Sequence, residues 1–312
     1  MRIIILLATY NRSHLIGETL DSILEQTYND WECIIIDDHS VDNTREAILN
    51  YEQKDRRFSY HLKNGKYKKG LSGTRNFGLD LAKERGAEFI QFFDDDDLMH
   101  PKKLELQLIP FLKNPGLNFT LCQYEKLVHE GNNWIVEQPR LQLEFSHLGD
   151  AILTGEMKMN SLGPLWRSDF IQNFRFDERL RYAEEWELYT RIGYKYPNNY
   201  EVVDEYLFQY RKHEDTLTLG EDKNYQRRKT SAVSRIIILE YLLEHKLLTK
   251  KSVLFLANTF LLYQYNPRLI ERLKIYVQSH NGFSRKIMWY LNTGLIIGKL
   301  YRKTLRRMAH WV

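Results

Sequence analysis

Four consecutive aspartates, Asp94 to Asp97, follow directly on an apolar run in the stretch "IQFFDDDDLMHP" (90–101). Neighbouring carboxylates about 4 Å apart repel by roughly 4 kcal/mol at an effective dielectric near 20. Acidic runs are commonly solvated turns that screen such repulsion. A divalent cation removes it more completely. A second pair, Asp37-Asp38, closes the run "WECIIIDD", and a third, Glu184-Glu185, opens "EEWELYTRI". The oxygen-rich ligand set suits Mg²⁺ or Mn²⁺, ions that take one or two carboxylates and complete their shell with water and substrate phosphates. Such an ion points to a nucleoside diphosphate as partner. The chain contains no GxxxxGK[ST] loop and no GxGxxG fingerprint, so neither a P-loop NTPase nor a dinucleotide enzyme is indicated.

The elements around these residues explain their placement. "IIILLAT" (3–9), "WECIIID" (31–37), the weakly alternating "RFSYHLK" (57–63) and "AEFIQFF" (87–93) read as strands. Helical patterns separate them at 14–26, after a cap at Ser40 or Asp42, and at 71–86. Continuous apolar strands joined by helices imply an α/β fold with a mostly parallel sheet covered on both faces. Ligands of such sheets bind beyond the carboxyl ends of the strands, where both aspartate clusters fall. A helix is expected at about 101–113, two strands around the "EGNN" turn, a short helix near 146–154, a helix at 183–195 and an extended run at 200–213. From about 222 onward the pattern is helical, broken near Asn266-Pro267 and Asn281-Gly282.

Three ordered motifs, "LLATYNRSHLIGETLDSILEQTYNDWECIIIDDHSVDNT", "GLSGTRNFGLDLA" and "FIQFFDDDDLMHP", together resemble the nucleotide-binding half of a family 2 glycosyltransferase with the GT-A fold, over about residues 1–215. The resemblance implies an inverting, metal-dependent transfer of a sugar from a nucleoside-diphosphate sugar, with a UDP-sugar the expected donor and Mn²⁺ or Mg²⁺ the expected ion. It places Ala8, Thr9 and Tyr10 at the wall of the nucleoside pocket and gives Asp38 the base's ring N–H. Arg75 of "GTRN" then contacts the base or the diphosphate. The DxD motif falls on Asp94 and Asp96, with Asp96 the metal ligand, Asp95 near the ribose, and Asp94 or Asp97 in support. Asp37 is expected to orient its turn, and Asp97 has an alternative as a cap for the helix entered at Pro101.

An acidic pair at a helix start is ordinarily a favourable dipole arrangement. The resemblance makes the second acid of this pair the catalytic base, and Glu185 stands where the family more often has aspartate, with Glu184 the next candidate. An unpaired carboxylate, partly buried beside Trp186, is expected for that role. His213 of "YRKHEDTLT" resembles a late histidine that approaches the metal or the diphosphate; a histidine at a strand end is otherwise plain surface.

Composition bounds the rest. The 312 residues, 43% hydrophobic and 13% aromatic, can bury a sizeable core. Two cysteines, Cys33 and Cys122, cannot build a disulfide framework, so a reducing, cytoplasmic compartment is expected. No run reaches the roughly 18 apolar residues of a membrane span. The net charge of +4 conceals an asymmetry, because residues 266–312 carry ten Lys/Arg against Glu271 alone. The remaining residues are net acidic. In "GLIIGKLYRKTLRRMAHWV" (294–312), Lys299, Arg302, Lys303, Arg306 and His310 recur at helical steps beside an apolar strip. That strip either packs on its own domain or lies on an anionic membrane surface, at the inner face of the cell membrane.

The division expected is a catalytic domain at 1–220, with a nucleotide half at 1–100 and an acceptor half at 101–220, and a helical extension at 221–312. The acceptor implied is a glycan or a lipid-linked saccharide. A nucleotidyltransferase and a non-catalytic sugar-nucleotide or glycan-binding protein of the same fold remain the competing readings. The first lacks a Gly-rich triphosphate loop. A nucleic-acid partner is not expected, since the basic tail is joined to no reading module.

Overall fold

The computed structural model describes residues 1–130, 133–212, 221–263, 266–280 and 282–296. Four parallel strands form its first half: β1 (Ile3–Thr9), β2 (Trp31–Asp37), β3 (Phe58–Leu62) and β4 (Phe89–Asp94). Every residue of β1 and β2 is buried, which is why the sequence shows apolar runs at 3–8 and 33–36. Alternate side chains go to opposite faces. Ile3, Ile5 and Leu7 join Ile16, Leu20 and Ile23 of α1 (Ile16–Leu24), Ile48 of α2 (Thr44–Lys54) and Leu104 of α4 (Lys103–Lys113). Ile4 and Leu6 join Leu79 of α3 (Leu71–Glu84), Ile152 of α5 (Leu148–Thr154), Ile171 of α6 (Ser168–Ile171) and Leu188 of α7 (Glu184–Lys195). The protein is a three-layer α/β sandwich, as the sequence predicts.

The sheet continues through β5 (Leu98–Met99), β6 (Phe119–Glu130), β7 (Asn133–Glu137), β8 (Leu165–Arg167) and β9 (Tyr200–Lys212), in the order β3-β2-β1-β4-β8-β6-β9-β5, with β7 on β6. From β1 the chain steps outward to β2 and β3, then returns to β4 on the other side of β1. That reversal opens a crevice beyond the ends of β1 and β4, the position where doubly wound sheets hold ligands. Register places Thr9 opposite Asp37, and Ala8 opposite Asp94.

The last helices, α8 (Glu221–Glu244), α9 (Lys250–Asn258), a π-helical turn at Thr259–Tyr263, α10 (Pro267–Ser279) and a helix at 285–296, build a separate core. Leu153 and Tyr194 of α5 and α7 belong to that core too, so the extension is fused to the sheet domain. Thr249 begins α9 with a reciprocal capping box and donates its hydroxyl to Asp150 of α5 at 2.7 Å. Neither expected cap of α2 stands at its N-cap, which is Asn43; Asp42 accepts from the Thr44 N–H at 3.1 Å, and Ser40 accepts from Asn11. Among the described residues no helix is long and apolar enough to cross a membrane.

Candidate active site

Three sharp turns lie beside this edge of the sheet. Asn11, His39 and Ala183 all adopt left-handed backbone angles (φ 51°, 64° and 63°), just after β1, just after β2 and just before α7. Non-glycine residues in this region cost of order 1 kcal/mol and persist where the surroundings determine them. The Asn11 side chain accepts from Val41 N–H at 2.8 Å, and Asn11 N–H donates to Ser40 at 2.9 Å, so the first two exits are laced together.

At the β2 exit Asp37 accepts from Ser40 N–H at 2.8 Å and from the Tyr60 hydroxyl at 3.0 Å. It orients the turn, as expected. Asp38 accepts from Gly70 N–H at 2.7 Å and pairs with buried Lys63, which also donates to the Lys68 carbonyl at 2.7 Å. Both ends of the loop 63–70 are thereby tied to Asp38. Gly70, at φ 118°, takes a conformation other residues avoid and so presents its N–H to that carboxylate. Tyr10 is 42% exposed, with the Lys69 ammonium 4.6 Å above its ring. Thr9 is buried.

The acidic run forms a turn between β4 and β5. Asp94 accepts from Arg75 at 2.9 Å, Asp95 accepts from Tyr10 N–H at 3.3 Å, and Arg12 lies 3.5 Å from Asp95 and 3.9 Å from Asp96. Burial first, and then neighbouring carboxylates, raise Asp94, Asp95 and Asp97 above the usual carboxylate range. Asp97 does not cap the following helix. It is fully buried and accepts from Arg211 N–H at 2.7 Å, while α4 begins at Lys103 without a side-chain cap. The sequence misleads there because a helix two turns of chain away is the nearest visible use for an aspartate.

Arg75, which the resemblance sets against base or diphosphate, is 2% exposed and surrounded by acids. Its Nη2 donates to Asp94 and, at 2.7 Å, to Ser161; its Nη1 lies 2.7 Å from Glu185 and 3.9 Å from Glu184. The guanidinium also stands 5.4 Å over Phe176. Next to it, Asn76 exchanges hydrogen bonds of 3.0 Å with the Phe176 backbone and donates to Glu178 at 2.9 Å. This stitching brings the segment before α7 over α3, and so delivers the Glu184-Glu185 pair to the acidic turn. Glu185 is therefore paired, a correction to the expected unpaired carboxylate. It is also the more accessible of the two, with 23% of its side chain exposed against 10% for Glu184. Burial and then the Glu185 charge push Glu184 up to about 7. Trp186 turns away and donates its indole N–H to the Ile152 carbonyl at 2.8 Å.

The fold thus gathers Thr9, Tyr10, Asp38, Arg75, Asp94, Asp95, Asp96, Glu184 and Glu185 on one edge of the sheet. His213 lies outside the described residues, as do Lys299, Arg302, Lys303, Arg306 and His310 of the tail. Motif reading passes over Arg12, Lys63, Asn76 and Ser161, though the Asn of "GTRN" adjoins the motif arginine and could have signalled its role. Among the described residues no three acidic, histidine or cysteine side chains form a metal cage. The donor set still fits a hard divalent ion: burial, and then crowding by neighbouring carboxylates, makes Asp94 and Asp95 hold their protons more tightly, and a cation sharing its shell with diphosphate oxygens needs only one or two of them.

Residues 4–180 match the model of the family described as "Glycosyl transferase family 2". The chain belongs to that family. Among its relatives in this family, the Escherichia coli UDP-Glc:alpha-D-GlcNAc-diphosphoundecaprenol beta-1,3-glucosyltransferase WfgD is 39% identical over 132 residues, 42% of this chain and 48% of that protein. The Campylobacter jejuni GalNAc(5)-diNAcBac-PP-undecaprenol beta-1,3-glucosyltransferase is 31% identical over 232 residues, 72% of this chain and 69% of that one. The chain thus spans about half of the first relative's length. In the crystal structure of S. aureus TarS 1-349 with UDP-GlcNAc the same fold recurs, at TM-score 0.60 and 20% identity, over 97% of this family 2 chain and 92% of TarS.

Proposed function

We propose that this chain transfers a sugar from a nucleoside-diphosphate sugar, a UDP-sugar being favoured, to a hydroxyl of a lipid-linked saccharide, with inversion at the anomeric carbon. One observation carries the reading: Arg75 joins the acidic turn to the Glu184-Glu185 pair through contacts of 2.9 and 2.7 Å. In this reading the acidic turn faces the diphosphate and the adjoining Glu185 abstracts the proton, which the Arg75 contacts support. The activities named for the two glucosyltransferase relatives, both on undecaprenol diphosphate-linked sugars, support the acceptor class. Residues 1–220 form the catalytic unit in this reading, the nucleotide half being 1–100, and 221–312 an extension whose described helices share a core with α5 and α7.

In this mechanism Tyr10 and Thr9 wall the nucleoside, and Asp38 accepts from its base. Asp96, supported by Asp94 and His213, would hold Mn²⁺ or Mg²⁺, which when bound neutralises charge growing on the departing diphosphate. Asp95 lies toward the ribose. Glu185 takes the proton of the acceptor hydroxyl as its oxygen bonds to the anomeric carbon and the bond to diphosphate breaks. Arg75 holds the Glu185 carboxylate in place during this step, and Glu184 stays behind it. The basic segment 294–312 holds the enzyme peripherally on an anionic membrane surface, on the cytoplasmic side, where a lipid-linked acceptor is found.

Incubating the protein with UDP-sugars and Mn²⁺ tests this reading. Release of sugar and nucleoside diphosphate supports a transferase. Pyrophosphate release would instead mean a nucleotidyltransferase, and binding without turnover a sugar-nucleotide-binding protein.

A further inference from the structure

The acidic turn is fastened from behind by Arg211 and Thr19, to which motif reading gives no role. Arg211, near the end of β9, is 3% exposed. Its backbone N–H donates to Asp97 at 2.7 Å, its Nε donates to the Asp96 carbonyl, its Nη1 pairs with Glu18, and its Nη2 donates to Thr19 Oγ1 at 3.3 Å. Thr19, buried in α1, sits with its hydroxyl 3.1 Å from the Asp95 carbonyl and 2.9 Å from the Asp97 carbonyl. One hydroxyl proton serves one carbonyl at a time, so Thr19 bridges the two alternately. Beyond the turn the fastening continues as a ladder, with Leu98 opposite Gln209, Met99 opposite Phe208, and His100 N–H donating to the Leu207 carbonyl at 3.0 Å.

We propose that Arg211, acting with Thr19, is the positioning residue of the acidic turn. It anchors the backbone of residues 95–97 to α1 and β9, so that Asp94 and Asp96 keep the spacing a diphosphate-bound cation requires. The inference rests on reading this turn as the donor site. Four adjacent carboxylates left to their own repulsion would spread apart. A planar guanidinium satisfies a carbonyl, a hydroxyl and a carboxylate in fixed directions, which the single ammonium of lysine cannot do. Because these bonds exist before any ligand arrives, the turn is set in advance, and ordering it costs nothing on binding. Glu18 is 68% exposed at its side chain, so its pairing with Arg211 adds little to the anchor.

Mn²⁺ titrations of the full chain, followed by the EPR signal of the free ion with and without UDP, test this directly. Replacing Arg211→Met is expected to raise the half-saturating Mn²⁺ concentration ~10–100-fold, the usual effect of losing an outer-shell partner. Arg211→Lys recovers part of the loss. Thr19→Val moves the titration in the same direction by less, and Glu18→Gln leaves it near the wild type. A folded Arg211→Met protein with a wild-type Mn²⁺ titration would overturn the inference alone. Should Arg211→Met fail to fold, an unchanged titration of folded Thr19→Val overturns it equally. If the wild type itself takes up no Mn²⁺ in the presence of UDP, the donor-site reading fails and this inference falls with it.

Discussion

Arg75 Nη1 lies 2.7 Å from a Glu185 carboxylate oxygen, while Nη2 of the same guanidinium donates to Asp94 at 2.9 Å. With Glu184 3.9 Å from Nη1, three buried or partly buried acids share one cation that is itself shut off from solvent. Arg75→Met is expected to destabilise the fold by ~3–5 kcal/mol, the usual cost of leaving buried charge unpaired. The loss should be larger at pH 8 than at pH 5.5, because protonation relieves the orphaned carboxylates. Denaturant unfolding at the two pH values measures it; equal losses would mean that packing against Phe176, not charge, is what Arg75 supplies.

The acidic turn gives a second expectation. Asp96→Asn removes ligand charge with little change in volume, so metal-dependent UDP binding should be lost while the melting temperature holds. Calorimetric titration with UDP and Mn²⁺ reads this, and wild-type binding by the variant would rule out Asp96 as the ligand.

Exposure separates the two glutamates. Glu185→Gln is expected to cut turnover ~10²–10⁴-fold, the range for a lost general base, with donor affinity nearly unchanged. Glu184→Gln should do much less. Steady-state kinetics of both variants decide the matter, and equal losses would remove the distinction.

Glu184 also sets a pH dependence. Its folded pKa of about 7 stands above the 4.5 of an ordinary glutamate, so the folded state binds the proton more tightly than the unfolded chain does. Stability from this group is full below about 4.5 and declines as pH rises through about 7. The decline amounts to ~3 kcal/mol at 1.36 kcal/mol per unit. Raised Asp94 and Asp95 act in the same direction. Unfolding free energy should fall between pH 5 and pH 8, and the slope should flatten in Glu184→Gln.

The tail calls for a truncation at 297. Ile287 and Leu291 are buried in the helical core, so removing 285–296 would damage the fold. A chain ending at residue 296 should lose salt-sensitive binding to anionic liposomes, since each Lys or Arg near such a surface contributes ~1 kcal/mol. Flotation assays compare the two proteins; equal binding would leave the tail without a membrane role.

Local pattern determined much of this protein. Strands buried on both faces are predominantly apolar, so β1, β2 and β4 are legible in "IIILLAT", "WECIIID" and "FIQFF", and their carboxyl ends locate Asp38 and Asp94 from the sequence alone. The helix at Glu184 is legible for the same reason, through its apolar period. The partners of the charges are not. Arg75 meets Asp94 across 19 residues and Arg211 meets the Asp96 carbonyl across 115, and nothing in the chain between them encodes either contact. Which cation neutralises a buried carboxylate depends on how α1, α3, α7 and β9 stack against one sheet edge. Sequence spacing constrains neighbours within an element, whereas the field at a buried charge is summed over every element that reaches it. The tertiary structure alone therefore decided that Glu185 is paired, that Asp97 faces inward, and that Arg211 stands behind the turn.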